Sequence, residues 1–192
     1  RGDMKKINLL LMTLLALICA GPVAQALEFP TTYVRIIVPY APGGSAEMQA
    51  RTLGDQLSKL WNQRVIIENK PGAGTTIGAA YVAGAKPDGY TLYLAGTSHT
   101  ISPSLYRDLK YDPVKSFAPI SRVSNSPFLV LVNPASGIQS IDQLLALARS
   151  KPGKLNYGTS GIGAGPHLSA EMLIAATKIE VTHVPFKGSA PA

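Results

Sequence analysis

Val34-Arg35-Ile36-Ile37-Val38, followed by Pro39-Tyr40-Ala41-Pro42-Gly43-Gly44-Ser45, is the stretch whose reading decides the fold. The short β-branched run predicts a strand, and the Pro/Gly-rich segment stops it in a turn. Beyond the turn, Ala46, Ala50, Leu53, Leu57, Leu60 and Trp61 recur at three-to-four spacing, which predicts a helix with these residues on one face. A second strand is expected over 65–68, ended by Asn69-Lys70-Pro71-Gly72-Ala73-Gly74, then a short small-residue helix over 77–85 and a third strand over 90–95 after Asp88-Gly89. Alternation of strand, loop and helix calls for right-handed crossovers and a mainly parallel sheet flanked by helices. Ligands of such sheets sit beyond the carboxyl ends of the strands, where this chain places its Gly, Ser and Thr.

Downstream, residues 101–127 carry Pro103, Pro113, Pro119 and Pro127 and read as an irregular connection with a short strand near 120–123. Phe128-Leu129-Val130-Leu131-Val132 is a continuous apolar run closed by Asn133-Pro134, which predicts a buried strand. A second alternating unit follows. Ser140 is placed to cap a helix whose apolar positions are Ile141, Leu144, Leu145, Leu147 and Ala148, and Lys151-Pro152-Gly153 ends it. A strand over 155–157, a loop over 158–166, a helix over 168–176 and a strand over 180–184 complete the pattern. The fold class expected is α/β.

The chain has 192 residues, 46% hydrophobic and 15% charged, which excludes a collagen, a coiled coil and a wholly disordered protein. Residues 4–26, MKKINLLLMTLLALICAGPVAQA, join Lys5 and Lys6 to an apolar run and the small-x-small site Ala24-Gln25-Ala26, the pattern of a cleaved secretory leader. The run is shorter than the roughly 20 residues needed to span a bilayer. Export of a soluble product is expected. The only cysteine, Cys19, lies in the leader, so no disulfide framework is expected. Setting aside Arg1, Lys5, Lys6 and Asp3 leaves 15 basic residues against 10 acidic ones, a net +5. No basic run marks a nucleic-acid stripe, and the mild excess favours anionic ligands.

Three loops after strands could carry chemistry. The Pro39 to Ser45 loop permits close approach of a ligand to backbone, and a helix N-terminus favours an anion; a plain turn with Gly44 or Ser45 as N-cap is the alternative. Gly158-Thr159-Ser160-Gly161-Ile162-Gly163-Ala164-Gly165-Pro166-His167 has the same placement. It is neither a P-loop, a dinucleotide fingerprint nor a nucleophile elbow, which leaves an oxyanion-binding loop. Gly96-Thr97-Ser98-His99-Thr100 is the third. His99, His167 and His183 have no i, i+4 partner and the only cysteine lies in the leader, so no metal site is expected and the three read as surface or packing histidines; no cofactor is expected.

Five segments in order resemble the Bug-type (TctC-like) solute-binding receptors of tripartite tricarboxylate transporters: Val38-Pro39-Tyr40-Ala41-Pro42-Gly43-Gly44, Glu68-Asn69-Lys70-Pro71-Gly72-Ala73-Gly74, Pro87-Asp88-Gly89-Tyr90-Thr91-Leu92, Lys151-Pro152-Gly153-Lys154-Leu155 leading to Ser160-Gly161, and His183-Val184-Pro185-Phe186-Lys187-Gly188. The resemblance implies a periplasmic binding protein of type II-like architecture. Two α/β domains with mainly parallel sheets, over 27–127 and over 128–192, would close on a small organic acid and hand it to a membrane permease. It further implies ligand contacts at Tyr40, Gly43 and Gly44, at Thr97 and Ser98, and at Ser160, Gly163, Ala164 and His167, with Lys187 on the far side of the cleft. Glu47 departs from the family's usual Asp. Relatives continue well past Ala192, so the second domain is expected to be incomplete. No enzymatic activity is expected on this reading. A Ser-dependent periplasmic hydrolase using Ser160 or Ser98 with a histidine, and a ligand sensor contacting a membrane signalling protein, are the alternatives.

Overall fold

The computed structural model describes residues 28–192, and the leader expected over 4–26 lies outside them. Residues 32–192 form one compact unit. Its first sheet has β1 (Val34–Val38) between β2 (Val65–Asn69) and β3 (Thr91–Tyr93), all parallel, with Ile36 opposite Ile67 and Leu92. A second sheet pairs β4 (Leu155–Thr159) with β5 (Val181–Pro185), again parallel, with Tyr157 opposite His183. The helices are α1 (Ser45–Trp61), α2 (Thr76–Ala83), α3 (Thr97–Leu105), α4 (Ile141–Ser150) and α5 (Gly165–Thr177). The α/β reading with parallel sheets therefore holds. Among the described residues no helix is long and apolar enough to cross a membrane.

The core lies on β1. Val34, Ile36, Ile37 and Val38 are all buried, as a central parallel strand covered on both faces must be. Ile36, Val38 and Ala50 of α1 pack together with Tyr40, Ala46, Leu53, Val65, Ile67, Leu92 and Leu94 around them. Gly54 lets α1 settle on β2, since a Cβ there would stand 3.1 Å from Ile67 and 3.3 Å from Val65. Leu60, expected on the apolar face with the others, is 76% exposed, although the last turn of α1 still meets the sheet where Ser58 Oγ accepts from Val65 N–H at 3.0 Å.

Two segments differ from the sequence reading. Residues 97–105, expected as loop and irregular connection, form α3, with Pro103 inside it. Pro103 lacks the N–H that would bond the His99 carbonyl four residues back. The Ser102 hydroxyl donates to that carbonyl instead, at 3.0 Å, and the helix continues. The strands expected near 120–123 and over 128–132 are absent. Leu131 is 84% exposed and Leu129 74%. An apolar run becomes a strand only when a neighbour completes its ladder, and no described strand lies alongside it.

Candidate functional site

The loops at the carboxyl ends of both sheets meet. Ala41 N–H, in the loop after β1, donates to the Lys187 carbonyl after β5 at 2.8 Å. Gly188 permits this approach, because a Cβ there would stand 3.2 Å from Ala41 N. A cleft of about 250 Å³ opens beside this junction. Tyr40, Ser98, Ser160, Ala164 and Lys187, all nominated from the sequence, line it together with Pro39, Tyr106, Ile162, Phe186 and the run 72–75. Lys187 is the one cation among these residues, and no carboxylate is among them.

Tyr40 is held from two directions. Its carbonyl accepts from Asn69 Nδ2 at 2.9 Å, and its hydroxyl pairs with Ser98 Oγ at 3.2 Å. Burial pushes the Tyr40 phenol above its ordinary pKa, with the Ser98 hydrogen bond acting the other way, so it stays a neutral donor. Ser98 itself is buried in the first turn of α3.

The other nominated residues, Gly43, Gly44, Thr97, Gly163 and His167, are not on its lining. Gly44 is the N-cap of α1 and packs against Ser189. Gly43, in the left-handed region at φ 85°, donates its N–H to Glu47 Oε2 at 2.5 Å. Glu47 also pairs with Arg51, so this acid caps its own helix. The Gly43 N–H first, then Arg51, hold the Glu47 carboxyl below the usual range. The stability it lends is thus present above the ordinary Glu pKa and is lost as pH falls through the lower, folded value. Thr97 packs against Gly165. Gly163, at φ 74°, repeats the Gly43 arrangement one sheet over: its N–H donates to His167 Nδ1 at 3.2 Å.

The motif Glu68 to Gly74 was not assigned to the site from the sequence, and its end, with Thr75 beyond it, lines the cleft. Four consecutive residues there have positive φ: Gly72, Ala73, Gly74 and Thr75. Ala73 and Thr75 pay a left-handed cost of about 1–2 kcal/mol each, the kind of strain that concentrates at binding sites. Their signal was the placement of Pro71-Gly72-Ala73-Gly74 after β2, matching the two loops that were nominated. Gly74 also lies against the Tyr106 hydroxyl, which brings Tyr106 into the lining.

Each histidine has a partner away from Ser98 and Ser160. His99 Nε2 lies 2.8 Å from the Pro113 carbonyl, and its ring packs among Tyr93, Tyr111 and Phe117. His167 engages Gly163, and His183 Nε2 lies 2.7 Å from Thr159 Oγ1. Among the described residues no group of three His, Cys, Asp or Glu is placed to hold a metal ion.

Parallel sheets with a small cleft at their carboxyl-end loops are the arrangement of α/β ligand-binding proteins. The chain belongs to the tripartite tricarboxylate transporter family of receptors: the family model described as "Tripartite tricarboxylate transporter family receptor" matches residues 49–192. It is 36% identical over 177 residues to a UPF0065 protein of Bordetella pertussis, covering 92% of this chain and 54% of that one. Among solved structures it resembles Rpa4515 of R. palustris with adipate, at 36% identity and TM-score 0.82, covering 85% of this chain and 55% of that one. MatC (Rpa3494) from Rhodopseudomonas palustris with bound malate is similar at 32% identity and TM-score 0.78, covering 85% and 56%. The chain spans about half the length of the curated relatives it matches.

Proposed function

We propose that the protein is a periplasmic receptor that captures a small carboxylate and presents it to the membrane permease of a tripartite tricarboxylate transporter. The observation that carries the reading is the lining of the cleft: the hydroxyl-bearing Tyr40, Ser98 and Ser160 are among its residues with the single cationic residue Lys187 and with no carboxylate. Neutral donors and one positive charge suit an anion, and a space of about 250 Å³ suits a small one. Relatives with adipate and malate support the ligand class. Family membership supports the transporter partnership and the export expected from residues 4–26. A division into domains at 127/128 belongs to the same reading, with β1–β3 in the first and β4–β5 in the second. Capture and release require no bond chemistry.

Calorimetric titration with adipate and malate tests this. Binding of at least one dianion is expected, weakening as salt rises because the attraction to Lys187 is screened. Lys187→Ala is expected to weaken it about tenfold or more, the loss of one charge-assisted hydrogen bond of roughly 1.5–3 kcal/mol. No heat with any dicarboxylate from a folded sample, or affinity indifferent to both Lys187→Ala and Ser160→Ala, would refute the assignment.

A further inference from the structure

Behind the cleft loop 160–164 lies a polar layer between the second sheet and α5. The rings of His167 on α5 and His183 on β5 stack with centroids 4.1 Å apart and planes inclined by 24°. Gly163 N–H donates to His167 Nδ1 at 3.2 Å. A backbone N–H can only donate, so Nδ1 is unprotonated, and the neutral ring carries its proton on Nε2. At the other end of the loop, Gly161 N–H donates to Thr159 Oγ1 at 3.3 Å, and that oxygen lies 2.7 Å from His183 Nε2. The two rings thus stand behind the two glycines that shape the loop. Gly161 and Gly163 both have positive φ, at 133° and 74°.

The groups facing the pair are few. Glu171 of α5 has Oε1 3.8 Å from His167 Nε2. Tyr157 of β4 stacks on His183 at 4.9 Å between centroids and donates its hydroxyl to Glu171. Thr159 of β4 completes the set. Burial, and next the proximity of His167, holds the His183 pKa below its ordinary value.

We propose that His167 and His183 are positioning residues that hold the cleft loop 160–164 in its binding shape only while the pair is uncharged, so that acidification loosens the loop and weakens ligand binding. Protonation turns His167 Nδ1 from an acceptor into a donor facing the Gly163 N–H, and one of the two donors must turn away. The charged ring is drawn toward Glu171 on its other side, which pulls Nδ1 from the loop. A second proton on the stacked partner is opposed by repulsion at about 4 Å. Ser160, Ile162 and Ala164 carry the displacement directly into the cleft.

What the loop binds rests on the carboxylate-receptor reading, so the test has one arm without ligand. In the ligand-free protein, nuclear magnetic resonance should show the Gly163 amide shift following the His167 ring titration, and His167→Asn, whose side-chain oxygen accepts without titrating, should abolish that dependence. In the second arm, adipate affinity is expected to fall about tenfold, or 1.4 kcal/mol, between pH 8 and pH 5.5. The fall should be smaller in His167→Asn, which carries any contribution from the ligand's own protonation. A Gly163 amide that stays still while the His167 ring titrates would overturn the proposal, as would adipate affinity equally pH-dependent in both proteins. Amide coupling present with no carboxylate bound at either pH would support the loop device and sink the receptor reading instead.

Discussion

Replacing Ile36 by alanine is expected to remove about 2–5 kcal/mol of folding stability, out of the roughly 5–15 kcal/mol that a protein of ordinary stability holds. Ile36 is 2% exposed in the middle of the central strand, packed with Val38 and Ala50 and opposite Ile67 and Leu92. Truncation there loses transfer energy and leaves a cavity that strands pinned by hydrogen bonds on both sides cannot close. The comparison that makes the prediction sharp is Leu131→Ala. Leu131 is equally apolar and sits in an equally apolar run, yet it is 84% exposed, so its truncation is expected to stay within about 0.5 kcal/mol. Urea unfolding with an unchanged slope reads both. A loss below about 1 kcal/mol for Ile36→Ala, or parity between the two variants, would show that the core does not sit on β1.

The second large effect is expected at Gly78. It lies in α2 where that helix crosses the end of β1, and a Cβ there would stand 2.9 Å from Pro39 Cβ and 3.0 Å from the Lys70 carbonyl oxygen. Backbone cannot give way as a flexible side chain does. Gly78→Val is therefore expected to cost about 3 kcal/mol, at or above the upper end of ordinary overpacking. Relief by moving Pro39 would shift Tyr40, since both line the cleft, so dicarboxylate affinity should fall together with stability. Gly84, at the end of the same helix, is the control. Its φ is −89° and its nearest neighbour would be 3.6 Å from an added Cβ, so Gly84→Ala should be neutral or stabilising by up to about 1 kcal/mol. A Gly78→Val protein as stable as the parent, with unchanged affinity, would contradict the close approach of α2 to Pro39.

Elements whose signal is local were readable from residues alone. Val34 to Val38 has the β-branched run of a doubly covered strand, and its burial follows. Ser140 was nominated as a cap, and its hydroxyl accepts from Gln143 N–H at 3.3 Å. The carboxyl-end loops were recognised by their glycines and hydroxyls, and five of the ten nominated residues line the cleft. The rest were not readable for physical reasons. Whether Gly43 N–H faces a ligand or Glu47 depends on a rotamer, and whether His167 faces the cleft or Gly163 depends on how a helix begins. Residues 72–75 needed four successive left-handed backbones, which no propensity assigns to Ala73 or Thr75. Pro103 argued against a helix until Ser102 supplied the missing donor.

Taken by itself, the sequence determined the α/β alternation, the parallel order of its strands and the polar chemistry at their carboxyl ends, because each depends on short-range patterns of side-chain shape and turn residues. Tertiary structure alone decided which apolar runs are core. Ile36 and Leu131 have the same driving force for burial, but only Ile36 has strands on both sides to satisfy its backbone and a helix to cover it. It also decided which polar groups meet, bringing Tyr40, Ser98, Ser160 and Lys187 to one cleft across gaps in sequence that no local pattern spans.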